Sequence, residues 1–375
     1  MQDRPSEKAV QPIWDIAVRI FHWTLVLVVV AAFVTADILG PTWLRWHVAV
    51  GAVMAALVTG RVIWGFTGPT YARFTSFVQK PSRIVAHLAE LRAARAARHL
   101  GHNPLGGAMV LALLLVLSSL AITGALQWGG LFKAGPFAGL SYFAGADFAG
   151  LHELAANLLM ALVGLHIFGV IFESRRSSEN LARSMLTGNK ETRAGDHTAP
   201  PKPGRPILAA CLTIFLVGLV GWGAVSLTSR PVPQAPLSPL AATYRAACAD
   251  CHAAFHPSLM RGENWVALMA GLADHFGEDA SLDPQASHAL IDWLAQNSAD
   301  TVDTRPAHLL AETDPAAPFT LTKTPFWRAR HRAIADATFS RPPIYSRANC
   351  VACHRDADSG WFYPPNIQIP PEQTQ

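Results

Sequence analysis

Charge is what this 375-residue sequence has least of: Asp, Glu, Lys and Arg make up 15% of its residues, against about 25% in a soluble globular domain. Together with 51% hydrophobic residues and a mean hydropathy of +0.23, the shortage excludes a wholly soluble chain. It equally excludes a disordered or collagen-like one. Cysteine is scarce as well, and five cysteines in a chain of this length exclude a disulfide scaffold. Four of the five stand in two matching runs, Cys248-Ala-Asp-Cys251-His252 and Cys350-Val-Ala-Cys353-His354. That is the spacing of covalent c-type haem attachment. A short helical turn puts both sulfurs and the imidazole on one side, so the cysteines form thioethers and His252 and His354 become proximal iron ligands. A zinc or disulfide pair is the weaker reading, because a histidine follows each Cys-X-X-Cys at once. Cys211 stands alone in an apolar run and is expected to be a buried small side chain.

The net charge of +4 hides an asymmetry. From Arg230 onward there are 11 basic and 15 acidic residues, so the remainder of the chain carries a balance of +8. Nothing in this pattern points to nucleic acid. Five runs are long and apolar enough to cross a bilayer, at about residues 13–39, 43–66, 105–128, 151–172 and 207–227. Val34-Thr35-Ala36 resembles a signal-peptide cleavage site, but the run before it is too long for one. Basic residues fall between spans two and three (Arg73, Lys80, Arg83, Arg92, Arg95, Arg98) and between spans four and five (Arg175, Arg176, Arg183, Lys190, Arg193). Those loops are expected to be cytoplasmic, with the N-terminus inside and everything after the fifth span outside.

Ionisable residues within spans are functional by default. His22, His47, His152 and His166 qualify. His152 and His166 are 14 residues apart on one expected helix, so they share a face and stand roughly 21 Å apart along the axis. His22 lies at the depth of His166, and His47 at the depth of His152. Two stacked pairs suit two haems b with neutral imidazoles as axial ligands. His87, His99 and His102 sit in the basic loop, where His102-Asn103-Pro104 reads as a helix start with Asn103 as N-cap and Pro104 at N1.

Trp14-Asp15 before His22, His47 followed by Gly51, Arg61, Trp64-Gly65-Phe66, Arg73-Phe74, Gly101-His102-Asn103-Pro104 and the two histidines of span four together resemble the bacterial cytochrome b561-type family. That family includes the membrane cytochrome b subunits of nickel-iron hydrogenases. The resemblance covers about residues 12–190. It implies a four-helix bundle with two haems b exchanging electrons with the quinone pool, and it carries the ligand role onto His22, His47, His152 and His166. The fifth span and the haem c region depart from the family.

Residues 189–206 read as a cytoplasmic linker, span five as a plain tether, and Pro231, Pro233, Pro236 and Pro239 as a stiff stalk. The distal ligands of the haems c are left open by pattern among His256, His275, His288, His308, His331, Met260 and Met269. His288 and His308 are expected on solvated helix faces and the two methionines in a core. Phe255-His256-Pro257-Ser258-Leu259, the run 271–282 containing Asp274-His275-Phe276-Gly277-Glu278, and Phe326-Trp327 with His331-Arg332 resemble the soluble dihaem cytochromes c of photosynthetic bacteria that reduce a small oxygen-binding c-type haem protein. That resemblance covers about residues 240–370. It implies bis-histidine coordination, carried onto His275 and His331, with His256 in reserve.

The expected fold class is all-α: a transmembrane four-helix haem b bundle (1–190), a linker and fifth transmembrane helix (191–230), and a mainly helical periplasmic dihaem domain (231–375). The expected function is a bacterial inner-membrane tetrahaem electron carrier. It would pass electrons from quinol through two haems b and two haems c to a soluble periplasmic c-type haem protein. A homodimer is compatible with this reading. Superoxide oxidation with quinone as acceptor, and a haem-bearing anchor of a larger respiratory complex, are the competing expectations.

Overall fold

The computed structural model describes residues 10–193, 196, 200–228, 239–249 and 252–372. Cys251 and the prolines Pro231, Pro233 and Pro236 lie outside the described residues. The chain divides into two compact units.

The first unit comprises Met1–Leu39, Arg45–Leu126 and Asp147–Val225. Its elements are β1 (Val10–Pro12), α1 (Ile16–Phe33) with a π turn after it (Val34–Ile38), α2 (Leu44–Thr67), α3 (Phe74–Phe77), α4 (Pro81–Arg92), α5 (Pro104–Phe132), α6 (Tyr142–Arg176), α7 (Leu181–Thr187), β2 (Asn189–Glu191) and α8 (Pro206–Thr228). Four stretches, Ile16–Ile38, Pro41–Thr67, Pro104–Phe132 and Tyr142–Arg176, are long and apolar enough to cross a membrane. The 23-residue α8 follows them as a fifth apolar helix. Met54 and Val58 of α2, Leu117 and Leu120 of α5 and Leu159 of α6 form the bundle core, with Phe21 and Leu25 of α1 packed against them. The opposite faces turn large apolar side chains outward, among them Leu27, Leu115 and Phe168. Water would penalise such faces, whereas hydrocarbon does not.

The residues that carry the sequence resemblance tie the helix ends together. The Asp15 carboxylate accepts from the Ala17 and Val18 amides at 3.0 and 3.1 Å, capping α1, and its Oδ1 also takes Trp64 Nε1 of α2 at 3.1 Å. Asn103 caps α5 as expected, its Oδ1 accepting from the Gly106 amide at 2.7 Å. The His102 ring packs against Trp14 and Phe77, both with centroids 4.8 Å away. Burial first, and then the nearby Arg61 and Lys190 charges, push this histidine down to about 3, so the ring is neutral.

Three local expectations change. The described part of the linker, residues 189–193, 196 and 200–206, is bonded to the helix ends. Asn189–Glu191 pairs antiparallel with Val10–Pro12, Arg73 Nη2 donates to the Pro203 carbonyl at 2.9 Å, and the Arg205 amide donates to the Thr67 carbonyl at 2.8 Å. Nor is α8 a plain tether, since Thr213 lies 3.5 Å from where a Cβ on Gly60 of α2 would stand. Cys211 is exposed on α8 rather than buried, because a helix in lipid needs no protein partner for an apolar face.

The second unit comprises Gly40–Leu44, Gln127–Ala146 and Ser226–Gln375. It contains α9 (Pro239–Cys248), α10 (Gly262–Ala270), α11 (Pro284–Gln296), α12 (Arg305–Leu310), α13 (Pro325–His331) and α14 (Asp336–Ser340), joined by 3-10 turns. One core gathers Tyr244, Met260, Trp265, Met269, Leu290 and Trp293, which places both methionines where the sequence suggested. A second gathers Leu259, Leu310 and Leu321 with Phe326, Trp327 and Phe362 against them.

In the first unit, Lys190 is 3% exposed and held by Glu179 at 2.7 Å. The same carboxylate takes Arg98 at 2.5 Å. Burial lowers the Lys190 pKa and Glu179 opposes that shift. Glu179→Ala leaves a buried cation unpaired, so a stability loss of about 3 kcal/mol is expected, measured as a lower midpoint of thermal unfolding in detergent.

Candidate haem sites

Eight histidines meet in four pairs at 6.1 to 6.5 Å, and two histidines outside the spans, His87 and His99, form a fifth and closer pair at 5.6 Å. In the first unit, His22 of α1 faces His166 of α6 with ring centroids 6.5 Å apart, and His47 of α2 faces His152 of α6 at 6.3 Å. In the second, His252 faces His275 at 6.2 Å and His331 faces His354 at 6.1 Å. A hydrogen bond between two imidazoles would draw the centroids to about 5 Å. A metal ion held by both nitrogens at about 2 Å each sets them about 6 Å apart. All four pairs fit an interposed iron.

The backs of four of the rings support this, while His22 Nδ1 and His354 Nδ1 are buried with no hydrogen-bond partner among the described residues. His47 Nδ1 lies 3.1 Å from the Ala32 carbonyl and 3.3 Å from Thr35 Oγ1, beside the π turn sealed by the Leu39 amide donating to the Val34 carbonyl. Thr35 commits its own proton to the Ala31 carbonyl at 2.7 Å, so towards His47 it can only accept. His152 repeats the arrangement: its Nδ1 is 3.1 Å from Thr123 Oγ1, which donates to the Ser119 carbonyl at 2.7 Å. His331 Nδ1 donates to the Trp327 carbonyl at 2.8 Å, and His252 Nδ1 to that of Ala253 at 2.9 Å. With Nδ1 carrying the proton, the Nε2 lone pair is free for the front of the ring. Thr35, Thr123 and the Ala32 carbonyl escaped the sequence reading. Only the Trp327 bond, one helical turn before His331, had a visible signal in the i, i+4 spacing.

His275 is presented by a tight hairpin. Phe276 and Gly277 have φ of 58° and 95°, two consecutive left-handed residues, and the His275 amide donates to the Glu278 carbonyl at 2.8 Å. His331 ends α13 and stacks on Trp327 with centroids 4.2 Å apart. His256 is spent locally: its Nδ1 takes the Ser258 amide at 3.3 Å, capping a 3-10 turn, and burial pushes it down to about 4. His288 is exposed, as expected. His308 is not, because it stacks on Tyr142 at 4.8 Å and bonds Asp303 at 2.8 Å.

Cys248, Cys350 and Cys353 form no disulfide, and burial pushes the Cys350 thiol up to about 11. Among the described residues no cluster of three or more His, Cys, Asp or Glu side chains could hold a bare metal ion. Ala253 and Phe255, just after the first cysteine motif, and Cys350 and Val351 of the second line one cleft.

The family model of prokaryotic cytochrome b561 matches residues 13–188, and that of dihaem cytochrome c matches residues 244–362. The probable Ni/Fe-hydrogenase 1 B-type cytochrome subunit of Escherichia coli K12 is 24% identical over 227 residues, covering 52% of this chain and 97% of that protein. The probable Ni/Fe-hydrogenase B-type cytochrome subunit of Bradyrhizobium diazoefficiens is 26% identical over 233 residues, covering 51% and 92%. A dihaem cytochrome c from Rhodobacter sphaeroides is 32% identical, covering 34% of this chain and 98% of that one with a TM-score of 0.29. The dihaem cytochrome c of Shewanella baltica OS155 is 29% identical, covering 35% and 94% with a TM-score of 0.28. Fold and motifs together define a membrane cytochrome. Residues 13–188 form a prokaryotic cytochrome b561 domain and residues 244–362 a dihaem cytochrome c domain. These domains carry haem b and haem c and transfer electrons.

Hydrogen-bonding at Nδ1 makes an imidazole a stronger donor to iron and favours the ferric state. Thr123→Val is therefore expected to leave haem content unchanged and raise the midpoint potential of one haem b. A net hydrogen bond of ~1 kcal/mol corresponds to about 40 mV for a one-electron couple. Redox titration followed in the haem b absorption band checks the shift.

Proposed function

We propose that the chain is a membrane-bound tetrahaem electron-transfer protein, taking electrons from quinol through two haems b to two haems c and on to a soluble periplasmic c-type haem protein. The observation that carries this reading is the set of four facing imidazole pairs, separated by 6.1 to 6.5 Å. His22 with His166 and His47 with His152 would hold the two haems b. Cys248 with Cys251 and Cys350 with Cys353 would anchor the two haems c, with His252 and His354 as proximal and His275 and His331 as distal ligands. Haem supplies one-electron transfer when bound. The residues set its spin state and potential and exclude other iron ligands.

Neutral quinol is confined to lipid, so the spans are the place where its electrons enter. The basic loops favour a cytoplasmic N-terminus and a periplasmic dihaem domain, with segments 1–190, 191–230 and 231–375 as the working divisions. The acidic balance of the C-terminal part suits a basic acceptor in a salt-dependent encounter. The subunit names of the E. coli and Bradyrhizobium relatives keep open a haem-bearing anchor of a larger complex, but a fused dihaem domain gives this chain its own exit.

Purified protein is expected to contain two haems b and two haems c by pyridine haemochrome spectra, and a quinol analogue is expected to reduce all four. Reduction by superoxide but not by quinol would replace this reading with a superoxide:quinone oxidoreductase. His275→Ala is expected to keep its covalent haem and open one iron to carbon monoxide. A variant that stays low-spin and binds no carbon monoxide would move the distal ligand elsewhere.

A further inference from the structure

The two haem c sites are not equivalent within the second unit. Its loop segments Gly40–Leu44 and Gln127–Ala146 are the chain ends of membrane helices: Trp43 is four residues before His47, and Ala146 six before His152. These segments pack on the turn that follows the C-terminal cysteine motif. The turn Pro41–Trp43 lies against the turn Pro364–Asn366, and the Phe132 ring meets Tyr363 edge-on at 5.5 Å. That turn is in turn bonded to the motif. Asp356 Oδ2 accepts from the Tyr363 amide at 2.8 Å and Asn366 Nδ2 at 3.0 Å, and Ile367 bridges to His354.

A clasp holds the arrangement. Lys133, 8% exposed, donates to Asp303 at 2.5 Å. The Tyr142 amide donates to both Asp303 oxygens at 3.1 Å, and His308, bonded to the same carboxylate, stacks on Tyr142. The other haem c site looks elsewhere: His275 sits on a hairpin whose tip, Phe276, is 70% exposed.

We propose that the site of His331, His354, Cys350 and Cys353 receives electrons from the membrane helices, and that the site of His252 and His275 passes them to the acceptor. This rests on the electron-transfer reading above. Each step moves one electron and no proton: the helix-bound donor is oxidised, the C-terminal site reduced, and the His252 site reduced next as the C-terminal site is reoxidised. The two protons of quinol leave at the membrane. The cleft lined by Ala253, next to His252, and by Cys350 brings the two sites close for the second step.

The test uses the full haem-loaded protein in nanodiscs. Carbodiimide, which joins a carboxylate to an amine in contact, is expected to give a Lys133–Asp303 cross-linked peptide by mass spectrometry, lost in Asp303→Asn. In rapid mixing with quinol, Tyr363→Ala is expected to slow haem c reduction about tenfold while haem b is reduced at the unmodified rate. Asp279→Lys, a charge reversal at an exposed position close to His275 in the chain, is expected to leave haem c reduction alone and slow reoxidation by a basic soluble cytochrome c. Absence of the cross-link in the unmodified protein, or slowing of haem c reduction by Asp279→Lys and not by Tyr363→Ala, overturns the order. If quinol fails to reduce haem b in the unmodified protein, the donor assignment falls alone. Flash photoreduction of haem b by a membrane-soluble flavin then reads the same order, so the two failures stay separable.

Discussion

For two imidazoles to share an iron, as proposed for the four pairs, they must face each other across a fixed gap of about 6 Å. The rest of the structure serves that constraint. In the bundle it falls on helix rotation, because α6 carries His152 and His166 on one face and must present both at once to α1 and α2. The Asp15 cap shared with Trp64 and the seat of His102 between Trp14 and Phe77 fix the helix ends. The threonines at positions 35 and 123 fix two of the rings. Outside the bundle the same gap is held by turns: a left-handed pair at Phe276 and Gly277 for His275, and a helix end stacked on Trp327 for His331.

What the sequence made legible was what local spacing encodes. Fourteen residues between two histidines is close to four helical turns, so their common face could be read without any structure. Asn103 immediately before Pro104 declares a cap. The threonine partners could not be read this way. A threonine in a helix commonly bonds its own i−4 carbonyl, as both do here, and nothing local says which one also meets a histidine. The clasp at Asp303 joins residues 170 positions apart, and His308 accordingly looked like an ordinary solvated helix residue. Cys211 misled for a different reason: an apolar neighbourhood in sequence means a core in water but an outer face in lipid.

Division of the chain into compact units follows contacts rather than the order of segments. The loops at one end of the spans group with the C-terminal region because Lys133, Tyr142 and Phe132 spend their polar and aromatic groups there.

The central claim is that four imidazole pairs, and no other side chains, supply the axial ligands. The ring planes differ among the pairs, from 83° at His47 and His152 to 36° at His252 and His275, and electron paramagnetic resonance of the oxidised protein is sensitive to that angle. Four low-spin ferric haems per chain are expected, a highly anisotropic signal from the near-perpendicular pair and a rhombic one from the flatter pair. A high-spin haem in the untreated protein, or a methionine-to-iron charge-transfer band in its near-infrared spectrum, would contradict the account.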